Sequence, residues 1–248
     1  MTFGTSGILL FRATFRLTCA ALLACAIALS LAVDAGAQGV TRIKARLTAF
    51  DGQAMTLQPL TAKDAPAPGD PLTVSVLPQT QYVQQQKSFF GAIKPGDYVG
   101  AAVSERAGRL RAQNVYLYAP ALRGSGEGRF VDNGRLMVNG TIREVRPTRP
   151  DSMFDGTLIL HYRGATLTGA RKNAVCEGRA VPPAFASALA CSADATIEVL
   201  PGTPVSTLTL GDKSLLAPGA ILSLALTRQP DGSQVSPGII VEMPQSPP

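Results

Sequence analysis

The pentapeptide VLPQT at residues 76–80 returns as VLPGT at 199–203, a displacement of 123 positions, and KPGDYVGAAV at 94 faces APGAILSLAL at 217 at the same displacement. Two matches at one interval with no gap between them point to a chain written twice. Upstream, FDGQAMTLQ at 50 faces FDGTLILHY at 154, an interval of 104, so the second copy should hold 19 extra residues between these points. That excess falls on RKNAVCEGRAVPPAFASALAC, residues 171–191, which carries Cys176 and Cys191.

Inside each copy the apolar residues alternate with period two, as in TRIKARLTAF (41–50) and RLRAQNVYLY (109–118), the signature of half-buried strands. Asp51-Gly52, Asp155-Gly156 and Asp231-Gly232 are hairpin signals, because these residue types tolerate the positive φ of tight reversed turns. Each copy should therefore run strand, hairpin, strand, strand at VLPxT, a loop or single helical turn, Pro-Gly turn, strand, hairpin, strand. The fold class expected is all-β: two tandem small OB-like barrels, the second with a Cys-bearing insertion. The boundaries expected are a first barrel over 38–120, a Gly-rich linker over 121–130, a second barrel over 131–243 with its insertion near 171–191, and a disordered tail over 244–248. The one stretch suited to helix is PPAFASALA in the insertion, with Pro at its start.

The first 37 residues read as an export signal. Arg12 and Arg16 precede the apolar run LTCAALLACAIALSLAV, and Ala35-Gly36-Ala37 supplies a small-x-small cleavage site. A retained anchor or a lipoprotein cleaved at Cys25 are the alternatives. Cleavage before Gln38 leaves a mature chain of 211 residues without a transmembrane span and lowers the formal net charge from +6 to +5. It also leaves two cysteines, and an even pair in an oxidising compartment is normally bridged. A Cys176–Cys191 disulfide would span 15 positions and recover about 3 kcal/mol of the entropy cost of the added loop in the chain-entropy model. Redox work would favour a Cys-x-x-Cys spacing, and a thiolate metal site would want further ligands nearby.

For catalysis the chain offers little. His161 is the sole histidine, G-x-S-x-G is absent, and Asp51, Asp97, Asp155 and Asp231 all sit beside glycines, where turn geometry accounts for them. GSGEG at 124–128 lacks both the dinucleotide fingerprint and the Walker spacing, so it reads as a connector. No catalytic residue, metal or cofactor is expected. Arg42, Lys44 and Arg46 project from one strand face and Arg109 and Arg111 from another, and these are the candidate contacts for an anionic partner. Arg143, Arg146 and Arg149 add a third basic run. Nucleic acid is not the expected ligand: the chain is exported, has no Trp, and at 6% aromatic content is short of stacking platforms.

The stretches LRAQNVYLYAPALRGSGEG, VNGTIREV, LPGTPV and above all KPGDYVG resemble a family of uncharacterised exported proteins of Gram-negative, mainly alphaproteobacterial, bacteria with tandem OB-like small-barrel domains of unknown function. The resemblance covers roughly residues 40–243, and the Cys-bearing insertion departs from it. It implies no activity and no site residues. The function expected is a non-catalytic periplasmic binding or scaffold protein of the cell envelope. Alternatives from other classes are an enzyme or enzyme subunit acting on an envelope polymer, or a solute-binding accessory of a transporter.

Overall fold

A computed structural model describes residues 40–132, 134–163, 166–167, 174–176, 179–181 and 192–244. The expected signal segment, Cys191 and its bridge, the PPAFASALA stretch and residues 245–248 lie outside the described residues.

The chain is all-β. Strands β1 (Thr41–Phe50), β2 (Ala54–Pro59) and the 17-residue β3 (Leu72–Ser88) lead through a single 3-10 turn at Phe90–Ala92 into β4 (Tyr98–Arg106) and β5 (Arg109–Tyr118). Then come β6 (Gly128–Asp132), β7 (Arg135–Pro147) and β8 (Gly156–Arg163). Short strands β9 (Thr166–Leu167), β10 (Ala174–Cys176) and β11 (Arg179–Val181) follow. The chain closes with β12 (Ser192–Val199), β13 (Val205–Gly211), a 3-10 turn at Lys213–Leu215, β14 (Ile221–Arg228) and β15 (Gln234–Glu242). The β9–β11 strands extend the sheet beyond β6 and contain Cys176, the last residue of β10.

Two closed rings of five strands result. In the first, β1 pairs with β2 and β14, β2 with β3, β3 with β15, and β15 with β14. In the second, β4 pairs with β5 and β7, β7 with β8, β8 with β12, and β12 with β5. Each ring fills with the inward residues of its alternating strands, as closure requires. Ala45, Leu47, Met55, Leu57, Leu222 and Ile239 pack the first, and Val99, Ala101, Val138, Leu158, Leu160 and Ile197 the second.

The ranges expected for sequential barrels, 38–120 and 131–243, therefore do not delimit the two cores. The first ring takes its strands from both ends of the chain, and the second takes all of its strands from the middle. The correction has a physical cause. Period-two alternation dictates that a strand has a buried face but not which sheet buries it, and the two halves carry interchangeable patterns.

The registers show how interchangeable they are. Arg46 opposite Ile221 in the first ring corresponds to Thr141 opposite Tyr98 in the second, with β1 shifted by 95 to β7 and β4 by 123 to β14. Leu57 opposite Leu72 corresponds to Leu160 opposite Ala195, shifts of 103 and 123. The strand registers thus put the extra length between β8 and β12 at 20 residues, one more than the FDG match suggests. The FDG match itself is a residue out of step because the connection from β7 to β8 is longer than that from β1 to β2. Asp155-Gly156 ends that long connection and is not a two-residue turn. The Pro-Gly turns also correspond: Gly96 and Gly219 have φ of 91° and 92°, the left-handed region open to glycine.

VLPxT is where the chain crosses from one ring to the other. The Leu77 amide donates to Thr80 Oγ1 (3.0 Å) and the Leu200 amide to Thr203 Oγ1 (3.2 Å), a side-chain turn that redirects the backbone. Beyond it, the second half of β3 and β13 pair antiparallel, Tyr82 opposite Gly211 through Ser88 opposite Val205. Shifting 82 and 88 by 123 gives 205 and 211, so this central pair maps onto itself. Pairings of β13 with β5 and of β3 with β15 continue the strip into both rings.

The Gly-rich stretch after β5 is pinned. Ser125 O accepts from Tyr98 Oη (3.2 Å) and Asn139 Nδ2 (3.4 Å), and Arg163 grips the Glu127 carboxylate (3.0 Å). Burial, aided by the Glu127 charge, pushes the Tyr98 phenol well above the ordinary tyrosine value, so it stays a neutral donor.

Candidate binding cleft at the strand crossover

Where the end of β3 runs beside the turn that starts β13, the two crossovers leave a cleft of about 350 Å³. Its walls come from both rings. Gln85, Lys87 and Ser88 of β3 form one side, with the 202–206 turn opposite. Asn114 of β5, Phe154 of the β7–β8 connection and Glu242 of β15 close it.

The local sequence SFFG explains the rim. At Phe89 the backbone is extended (φ −145°, ψ 161°), so successive side chains point to opposite sides. Phe90 goes into the second core at 1% exposure, and Phe89 is left at the cleft with 40% exposed. Phe154 stands at 67% exposure. Pro204 and Met243 complete the apolar lining.

The polar groups are unequally committed. Glu242 is neutralised by Lys44 (2.9 Å), which also reaches Asp64 (2.8 Å). Partial burial works against the charge on Lys44, but hydrogen bonds to those two carboxylates outweigh it and hold its pKa above the ordinary lysine value. Gln85 Nε2 donates to Ser206 Oγ (3.1 Å). Among the described residues no carboxylate pairs with Lys87, and the Asn114 carboxamide makes no hydrogen bond to protein.

The residues singled out from the sequence lie elsewhere. Arg42 pairs with Asp132 (2.7 Å), and Lys44 is engaged as described. Arg46 donates to the Gly219 carbonyl (3.2 Å). Arg109 and Arg111 share Glu198 at 3.7 and 3.6 Å. They alternate with buried neighbours as the pattern requires, yet four of the five face carboxylates of their own chain. His161 hydrogen-bonds Asp194 (2.7 Å), whose other oxygen takes Arg143 (2.9 Å), on the outside of the second ring and away from the cleft. The turn acids do turn work. Asp51 accepts from the Gln53 and Ala54 amides (2.8 and 2.7 Å), and these bonds, that from Ala54 first, lower its pKa. The signal missed in the sequence was the doublet Phe89-Phe90: two consecutive aromatics in extended chain cannot both enter one core.

Comparison with known proteins finds no matching family model, no matching curated protein and no matching solved structure.

Proposed function

We propose that the protein is a non-catalytic binding module of the cell envelope, exported by its N-terminal leader to the periplasm, and that it holds its partner in the crossover cleft. One observation carries this reading: Gln85, Lys87, Phe89, Asn114 and Glu242 of the cleft have no like residue at the corresponding positions of the other copy. Under the strand shifts, Gln85 and Lys87 correspond to Leu208 and Leu210, Asn114 to Gly238, Phe89 to Asp212, and Glu242 to Tyr118. Groups needed to build a crossover should recur in both copies, as the threonines of VLPxT do. Groups present in one copy serve something other than the architecture, and an open cleft with two exposed phenylalanines is suited to recognition. The ion-paired arginines are suited to a secondary, salt-sensitive contact with an anionic surface.

The test is an amide chemical-shift survey of the full chain against soluble probes spanning envelope chemistries: short peptides, chito-oligosaccharides, muropeptides and a short-chain phospholipid below its micelle point. At least one class should move the amides of Ser88, Asn114, Thr203 and Ser206, and Phe154→Ser, an exposed change, should abolish the movement. Probes that bind but leave these four amides still overturn the proposal.

A further inference from the structure

Resting on that reading, we infer that the cleft takes the carboxyl-terminal end of a peptide, with an apolar last side chain between Phe89 and Phe154 and its terminal carboxylate on Lys87. Three features of the lining converge on this chemistry. Phe89, Phe154, Pro204 and Met243 offer ring and aliphatic surface with no hydrogen-bonding atom in the side chains other than a weak thioether acceptor. An apolar side chain fills such a surface without leaving a hydrogen bond unmade, whereas a sugar would need partners for its hydroxyls outside these four side chains. Next, the polar lining includes carboxamides. Asn114, with no protein partner among the described residues, presents both donor and acceptor, beside the Ser88 hydroxyl and the Gln85 carboxamide. A peptide link, itself one N–H and one C=O, is the complementary unit.

Charge supplies the third feature. Glu242 is held by Lys44 at 2.9 Å, and Lys44 is shared with Asp64, so the cation of the lining left without a carboxylate partner among the described residues is Lys87. An anion is the fitting occupant, and a single one. Size then selects where along a peptide that anion lies. At about 350 Å³ the cleft stands near the lower end of the range of about 300–1,000 Å³ for small-ligand sites, room for the end of a chain and not for a run of it. A terminal carboxylate beside an apolar side chain meets all three conditions within that space.

The experiment compares N-acetyl-Ala-Phe with its C-terminal amide on the full chain, by amide shifts and calorimetry, with chitotetraose as the third probe. The acid should move the Ser88, Asn114, Thr203 and Ser206 amides, and the amide should bind about tenfold more weakly, the usual worth of one charge-assisted hydrogen bond. Lys87→Met, whose side chain is exposed so that the variant keeps the wild-type Tm, should remove the difference between the two peptides. Equal binding of acid and amide to the wild type overturns the inference. Chitotetraose at the cleft with both peptides absent overturns it too, while leaving the binding reading in place. If no probe moves those amides, both fall.

Discussion

Thr80 and Thr203 occupy the same place in the two VLPxT turns but not the same environment. Thr80 is 6% exposed, and its Oγ1 both accepts from the Leu77 amide and donates to the Ser236 carbonyl (3.0 Å), a group from the far end of the chain. Thr203 serves only the Leu200 amide at the surface. Replacing either by valine keeps the shape and deletes the hydroxyl. Thr80→Val leaves a buried donor and a buried acceptor unmet and should cost about 1–3 kcal/mol, whereas at Thr203 water substitutes and the cost should be about 0.5–1 kcal/mol. Urea unfolding midpoints of the two variants measure this, and equal losses would contradict the asymmetry. The threonines were legible in the sequence because the motif repeats. Their unequal burial was not, since it depends on which strand lies across the turn, and Ser236 is 156 positions from Thr80.

At the scale of strands, the two rings share a pairing scheme but not a filling. Ala45 on β1 is fully buried in the first core, and its counterpart under the shift of 95 is Gly140 on β7. A Cβ at Gly140 would overlap the His161 carbonyl of the neighbouring strand and crowd Tyr162, the largest fully buried side chain of the molecule among the described residues. The second ring spends on Tyr162 the space that the first gives to an ordinary alanine, the small-against-large fitting expected inside a narrow barrel. Gly140→Ala should therefore destabilise by about 1–3 kcal/mol through overpacking against backbone that cannot swing aside. Guanidinium unfolding would show it, and a variant as stable as the parent would mean that β7 and β8 lie farther apart. The long strands, the Pro-Gly turns and the helical turn before each of them were readable from alternation and turn residues, whereas β6, the 3-10 turn at Pro120–Leu122 and the long connection ending at Asp155-Gly156 were not. Ring membership was not. β4 and β14 occupy equivalent places in the repeat after matching Pro-Gly turns, so nothing local states that β14 belongs with β1 and β4 with β7.

Exchange of halves makes the molecule one object where the sequence suggests two. Each ring closes only when the segment before residue 120 and the segment after residue 128 meet, because β1 pairs with β14 and β3 with β15, while β4 pairs with β7 and β5 with β12. The covalent link between the copies therefore carries no load once the sheets have formed. This separates the observed topology from sequential barrels in a single measurement. A site-specific protease sequence inserted after Ser125, in the exposed turn between the 3-10 turn at Pro120–Leu122 and β6, allows the folded chain to be cut into two pieces. In sequential barrels the pieces would be complete domains joined at most by a surface contact, and they would part on dilution. In the exchanged arrangement each piece contributes strands to both cores, so parting them exposes the interior of both rings at once. The cut protein should elute at the position of the intact chain on size exclusion down to micromolar dilution, and its pieces should separate only in denaturant. Two peaks under native conditions would refute the exchange, and with it the argument that places the cleft between corresponding crossovers.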